Sequence, residues 1–159
     1  MPQMTDPSDA LASFQQGISA GVLALQRGDL DQKVLVHADT PNGSPRFTYV
    51  RVNQNRVTAL AMFVAIEPLD GIPRFALGYA VPDAYRGQGW AKGIVRAGLA
   101  ELKAGLARVP IRKFYVYAVV GEDNLASQKV AEATVSKSPE TGIDAVSGLP
   151  AFHYFLLVE

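Results

Sequence analysis

The chain has 159 residues, 48% of them hydrophobic and 19% charged, with 15 Lys+Arg against 15 Asp+Glu and no cysteine. That length suits one domain with a full hydrophobic core, and the balanced charge offers no attraction for nucleic acid or an anionic membrane. Without cysteine, disulfides, thiolate metal sites and a cysteine nucleophile are excluded, while zero net charge mildly favours self-association, as in a homodimer.

No apolar run approaches the roughly 20 residues of a membrane span. The stretch GISAGVLAL is apolar, but Asp6 and Asp9 precede it without Lys or Arg, and Gln15 and Gln16 interrupt it. It therefore does not read as a signal peptide, and a cytoplasmic protein is expected. Met1 to Pro7 reads as a loose start. Leu11, Phe14, Ile18, Val22 and Leu25 then predict a helix capped by Ser8 or Asp9 and stopped by Gly28. Gly17 and Gly21 weaken it by roughly 1 kcal/mol each relative to alanine, so packing must hold it.

Lys33 to His37 predicts a short strand, and Thr40 to Pro45 a loop of turn formers. Arg46 to Val52 is β-branched and aromatic, and Asn53 to Arg56 turns the chain. Val57 to Ile66 is apolar without alternation, the pattern of a strand buried on both faces; a buried helix reads the same way. Pro68 to Pro73 is a loop before a strand over Arg74 to Val81. These strands, joined by short loops, read as an antiparallel meander. A helix with Ala91, Ile94, Val95, Gly98, Leu99, Leu102 and Leu106 on one side follows. Lys113 to Val120 is a strand, Leu125 to Val135 a helix, and Ala151 to Val158 a final strand. Between them Ser136 to Pro150 is polar and turn-rich, with at most a short strand near Ile143 to Val146. The result is an α+β fold: one domain over residues 1–159, a mostly antiparallel sheet, and one parallel pair made by the crossover helix.

The stretch that promises chemistry is the turn between strand and helix, Arg86-Gly87-Gln88-Gly89-Trp90-Ala91. Amides from Gly87 to Ala91 stand free at a helix start beside Arg86, which suits a diphosphate lying over the helix end. It is neither a Walker loop nor a GxGxxG fingerprint. A glycine loop that merely precedes a helix is the plain alternative.

GYAVPDAYRGQGWA resembles motif A of the GCN5-related N-acetyltransferases (GNAT), where Arg/Gln-x-x-Gly-x-Gly/Ala binds the pyrophosphate of acetyl-CoA. Arg86, Gly89 and Ala91 occupy those positions. One strand later, Glu122 to Val130 resembles the Glu-Asn-x-x-Ser signature of the ribosomal-protein N-acetyltransferase type, with one residue inserted. The order of elements from Lys33 to Val158 also agrees. The resemblance implies a mixed sheet flanked by helices with splayed central parallel strands. It also implies an acetyl-CoA cosubstrate and direct attack by an amine acceptor, here unidentified. Tyr79, Ala80 and Val81 would offer backbone to the pantetheine, Asn124 and Ser127 would lie near pantetheine and thiol, and an amide near Val81 would hold the oxyanion.

Departures from the family pattern limit this reading. The family's tyrosine acid falls at Ala131, so Ser127 is left as a proton relay, and a thiol of pKa about 8.5 can take its proton from water. No carboxylate stands on the strand Arg74 to Val81, so Glu67 is the remaining base candidate, with a surface turn acid as its plain reading. The Gly-Phe pair that often ends the following helix is replaced by Ala133-Thr134-Val135. His37 and His153 lack patterned carboxylates and read as structural or surface residues. Tyr154 reads as packing on the last strand, with acceptor contact as the alternative. Lys92 and Arg96 serve a solvated helix face or the phosphates of CoA equally well. A GNAT-fold protein that binds CoA or a protein partner without turnover is the competing function, and a plain interaction domain a third.

Overall fold

A computed structural model of the chain describes residues 7–159, so the expected loose start lies, but for Pro7, outside the described residues. The elements are α1 (Pro7–Ala20), β1 (Gln26–Arg27), β2 (Val34–Asp39), β3 (Arg46–Asn53), β4 (Arg56–Leu69), β5 (Ile72–Ala80), α2 (Trp90–Ala107), β6 (Phe114–Gly121), α3 (Leu125–Thr134), β7 (Glu140–Ile143) and β8 (Pro150–Val158). The strands form one sheet in the order β1-β2-β3-β4-β5-β6-β8-β7. Among the described residues only β5 and β6 run parallel; the other neighbours are antiparallel.

β4 is the centre of the molecule. Its alternate residues Ala59, Ala61 and Phe63 join the core under α2 and α3, with Ile94, Val95, Leu102, Val116 and Tyr154. Leu60 and Met62 point the other way and pack with Phe14 of α1. Burial on both faces explains the unbroken apolar run. It lets α1 cover one face of the sheet while α2 and α3 cover the other.

Several predicted boundaries shift for identifiable reasons. α1 ends at Ala20 rather than running to Arg27, and Ser8 and Asp9 lie in its first turn. Gly21 adopts φ +68, its N–H bonds to Ile18 O, and Val22 N–H bonds to Gly17 O. This is a Schellman stop, and it takes Val22 out of the helix and leaves it 74% exposed. Leu23 folds back so closely that a Cβ at Gly17 would sit 2.7 Å from its Cδ1.

β4 runs through Pro68, which the sequence assigns to a loop, because the ladder slips between Ile66 and Leu69 and tolerates a missing amide there. The hairpin to β5 is then Asp70-Gly71, both left-handed at φ 52 and 76. β7 ends at Ile143 rather than starting there: the Asp144 side chain accepts from Val146 N–H, and Gly148 N–H bonds back to Asp144 O.

Candidate functional site

The sheet comes apart at its one parallel junction. β5 and β6 are in register only at Arg74–Tyr115, Phe75–Val116 and Ala76–Tyr117. Beyond Ala76, β5 continues to Ala80 paired with β4 alone, while β6 continues to Gly121 paired with β8 alone. The facing edges of 77–80 and 118–121 therefore lack each other's hydrogen bonds. This is the splay that the resemblance implied.

At the head of the gap the chain leaves β5 through Pro82 and a single 3₁₀ turn, Asp83–Tyr85, to reach α2. Gly87 and Gly89 adopt φ 74 and 81, values that disfavour any side chain, and an added Cβ at either would meet nothing within 4 Å. The turn thus faces open space. Gly89 caps α2 without a side-chain hydrogen bond, and the first turn holds no acidic residue. The first bond of the helix is Gly93 N–H to Gly89 O, so the amides of Trp90, Ala91 and Lys92 have no intrahelical acceptor. An uncapped helix start with positive partial charge, open space and Lys92 beside it fits an anion.

The other residues of the turn shape it. Arg86 donates through Nε to Val81 O at 3.2 Å and pairs through Nη1 with Asp83 at 2.8 Å, which ties the loop to the end of β5. Gln88 donates to Ala84 O and accepts from Trp90 Nε1, and Trp90 meets Tyr85 edge-on. Gln88 and Trp90 therefore brace the turn with their side chains and offer a ligand only their amides.

Across the gap, Asn124 caps α3 by accepting from Ser127 N–H at 3.2 Å. Its side-chain amide keeps two donors. Tyr79 spans the opening from β5, its hydroxyl donating to Ser127 O at 2.6 Å. Burial pushes that phenol well above the ordinary 10, a rise that the Ser127 bond partly opposes. Gln128, which the sequence reading passed over, is buried and donates to the carbonyls of Gly121 and Glu122, fixing the β6–α3 corner. Behind these stands Tyr154, 0% exposed, its hydroxyl without a hydrogen-bond partner among the described residues. Such a group is unfavourable by about 1–3 kcal/mol.

The structure thus gathers Tyr79, Ala80, Val81, Arg86 to Ala91, Asn124 and Ser127 around one opening. It does not bring Glu67 there. Leu60 pairs with Ala80, whereas Glu67 lies beyond Ile66, which pairs with Arg74. At about 3.3 Å per residue, that is roughly 20 Å down the strand. Ala131 is fully buried. Among the described residues no cluster of His, Asp or Glu could hold a metal ion.

No protein-family model matches the sequence, and no curated protein matches it. Solved structures do resemble it. A GNAT-family acetyltransferase from Streptococcus pneumoniae superposes with TM-score 0.55 at 10% identity, over 72% of this chain and 67% of that one. The Salmonella typhimurium acetyltransferase that modifies the N-terminal serine of ribosomal protein L7/L12 gives 0.52 at 22%, over 72% and 64%. RimL, an L7/L12 alpha-N-protein acetyltransferase in complex with coenzyme A, gives 0.52 at 20%, over 71% and 62%. The match spans about two thirds of each neighbour's length. Sheet order, parallel junction and these superpositions agree: the chain has the fold of the GCN5-related N-acetyltransferases.

Proposed function

We propose that the chain is an acyl-CoA-dependent N-acyltransferase that moves an acetyl group from acetyl-CoA to a primary amine in a ternary complex. One observation carries this reading: the parallel pair opens beyond Ala76, and an uncapped, glycine-turned helix start stands at the head of the opening. A diphosphate fits the amides of Gly87 to Ala91, with Arg86 free to exchange its exposed partner Asp83 for phosphate. An extended amide chain such as pantetheine fits the unpaired edge at Tyr79, Ala80 and Val81, with Asn124 and Ser127 opposite. Neighbours of the same fold that are named as acetyltransferases, one of them holding coenzyme A, support it. A cytoplasmic location, where acetyl-CoA is at hand, belongs to the same proposal.

In this arrangement catalysis is mostly positioning. The amine attacks the thioester carbonyl directly, a backbone amide near Val81 steadies the oxyanion, and the leaving thiolate takes a proton from water or through Ser127.

Acetyl-CoA at about 100 times its Kd should stabilise the protein by about 2.7 kcal/mol. For a chain of this size that is a rise in Tm of roughly 5–10 °C. Arg86→Glu or Gly89→Asp should remove the rise, and its absence in the native protein would refute the proposal. A second reading, coenzyme A binding without turnover, draws on the buried Ala131 and the distant Glu67. It predicts the same thermal rise with no amine-dependent release of thiol.

A further inference from the structure

The opening is shorter than the break in the sheet. β5 and β6 lose each other's hydrogen bonds beyond Ala76, yet Leu77 and Gly78 are still buried, as is Ala118 on the facing edge. The edge of β5 comes partly into the open only at Tyr79 and Ala80. From Tyr79 to Val81 is about 7 Å, at about 3.3 Å per residue. Below Tyr79 the helix side is filled by Leu77, Ala118 and Tyr154, at 3%, 2% and 0% exposure.

Tyr79 stands at this floor. Leu77 and Tyr79 pair with Phe63 and Ala61, which face α2 and α3, so alternation along β5 turns the Tyr79 ring to that side as well. Its hydroxyl donates to Ser127 O at 2.6 Å, across the opening. Tyr154 lies close enough to act on the Tyr79 phenol, and Tyr79 packs against the core cluster that holds Tyr154 and Ala131. The side chain is thus held at both ends, by the β4 ladder at its backbone and by α3 at its hydroxyl. It has little freedom to swing aside.

We propose that the tethered ring of Tyr79 is the floor of the acyl site and limits the donor to short acyl chains. The inference rests on the N-acyltransferase reading above, in which pantetheine runs along the edge at Val81, Ala80 and Tyr79 and Ser127 lies near the thiol. An arm that enters at Val81 has used the open edge when its thioester reaches the Tyr79–Ser127 bridge. An acetyl group adds one methyl beyond the carbonyl and stops there. Each further methylene must push the ring aside, break its bond to Ser127 O or enter the packed core behind it, and such cores resist added volume. Tyr79 sets the limit by occupying space and by being unable to leave it.

Calorimetric titration of the full chain with acetyl-, butyryl- and octanoyl-CoA tests this without any acceptor amine. The native protein should bind octanoyl-CoA about 10-fold or more less tightly than acetyl-CoA, with butyryl-CoA between them. Tyr79→Ala should abolish most of that difference, whereas Tyr79→Phe, which keeps the ring, should retain it. Tyr79→Leu preserves more of the core contact and gives the same reading should the alanine variant fail to fold. Equal affinities in the native protein overturn the limit, because the longer chain then leaves the opening by another way. A difference that persists in a folded Tyr79→Ala or Tyr79→Leu variant overturns it too, as does one that vanishes in Tyr79→Phe. In each of those cases acetyl-CoA still binds and the N-acyltransferase reading stands. No binding of acetyl-CoA by the native protein overturns that reading and the limit with it.

Discussion

The two junctions of β5 differ sharply. Toward β4 its ladder runs from Leu60–Ala80 to Leu69–Ile72, broken only by the slip near Pro68; toward β6 it holds for three pairs and stops. The first junction is stitched by backbone bonds and packed on both faces. The second is bridged on the helix side by side chains, chiefly Tyr79 reaching Ser127. One strand therefore serves as both the middle of a rigid meander and the rim of an opening. Rigidity is concentrated next to the opening, which keeps the gap from closing by ordinary strand pairing.

Substitutions on the two sides should show different kinds of loss. Phe63→Ala on β4, at a fully buried position, should cost about 3–5 kcal/mol, read as a lower denaturant midpoint at unchanged slope. Glu101 comes next: its buried carboxylate accepts from the amides of Asp29, Leu30 and Asp31, and Glu101→Leu should cost about 2–3 kcal/mol by chemical denaturation.

At the opening, the raised phenol of Tyr79 means that above pH 10 the unfolded chain releases this proton first. Stability should then fall with rising pH, by at most about 1.4 kcal/mol per pH unit from this group, and Tyr79→Phe should flatten the fall. Tyr154→Phe should have the smallest effect, because it removes a hydroxyl that has no partner. Unliganded stability should hold or rise. A clear drop in unliganded Tm instead would mean that the hydroxyl serves the fold.

Much of this was legible along the chain wherever the cause was local. The apolar run Val57 to Ile66 read as a strand buried on both faces, with a buried helix as the alternative, and Gly87 and Gly89 read as a turn before a helix, because in each case the residue's own stereochemistry sets the outcome. The end of α1 was legible only in part. Gly21 looked like a weak point in a longer helix, whereas its left-handed conformation is the stop.

What depended on register was out of reach. Glu67 and Ala80 lie near each other along the chain, yet the ladder carries them to opposite ends of the strand. Tyr117 and His153 are 36 residues apart and touch only because Val119 is the register partner of His153. The opening itself is a mismatch between two ladders, and neither strand spells it out alone.

Glu101 has a mechanical consequence. It sits past the middle of α2, and its carboxylate is gripped by the loop that follows β1, while Gly28 leaves no room for a Cβ beside it. At the other end Gly93 has open space where a side chain would be. The helix is a beam clamped near its C-terminal end, with the turn ahead of its first residues braced by Arg86, Gln88 and Trp90 and facing the gap. Force from a bound anion would be carried down its length to the clamp, so the loop at 28–31, remote from the opening, is where amide exchange should slow when the tip is loaded.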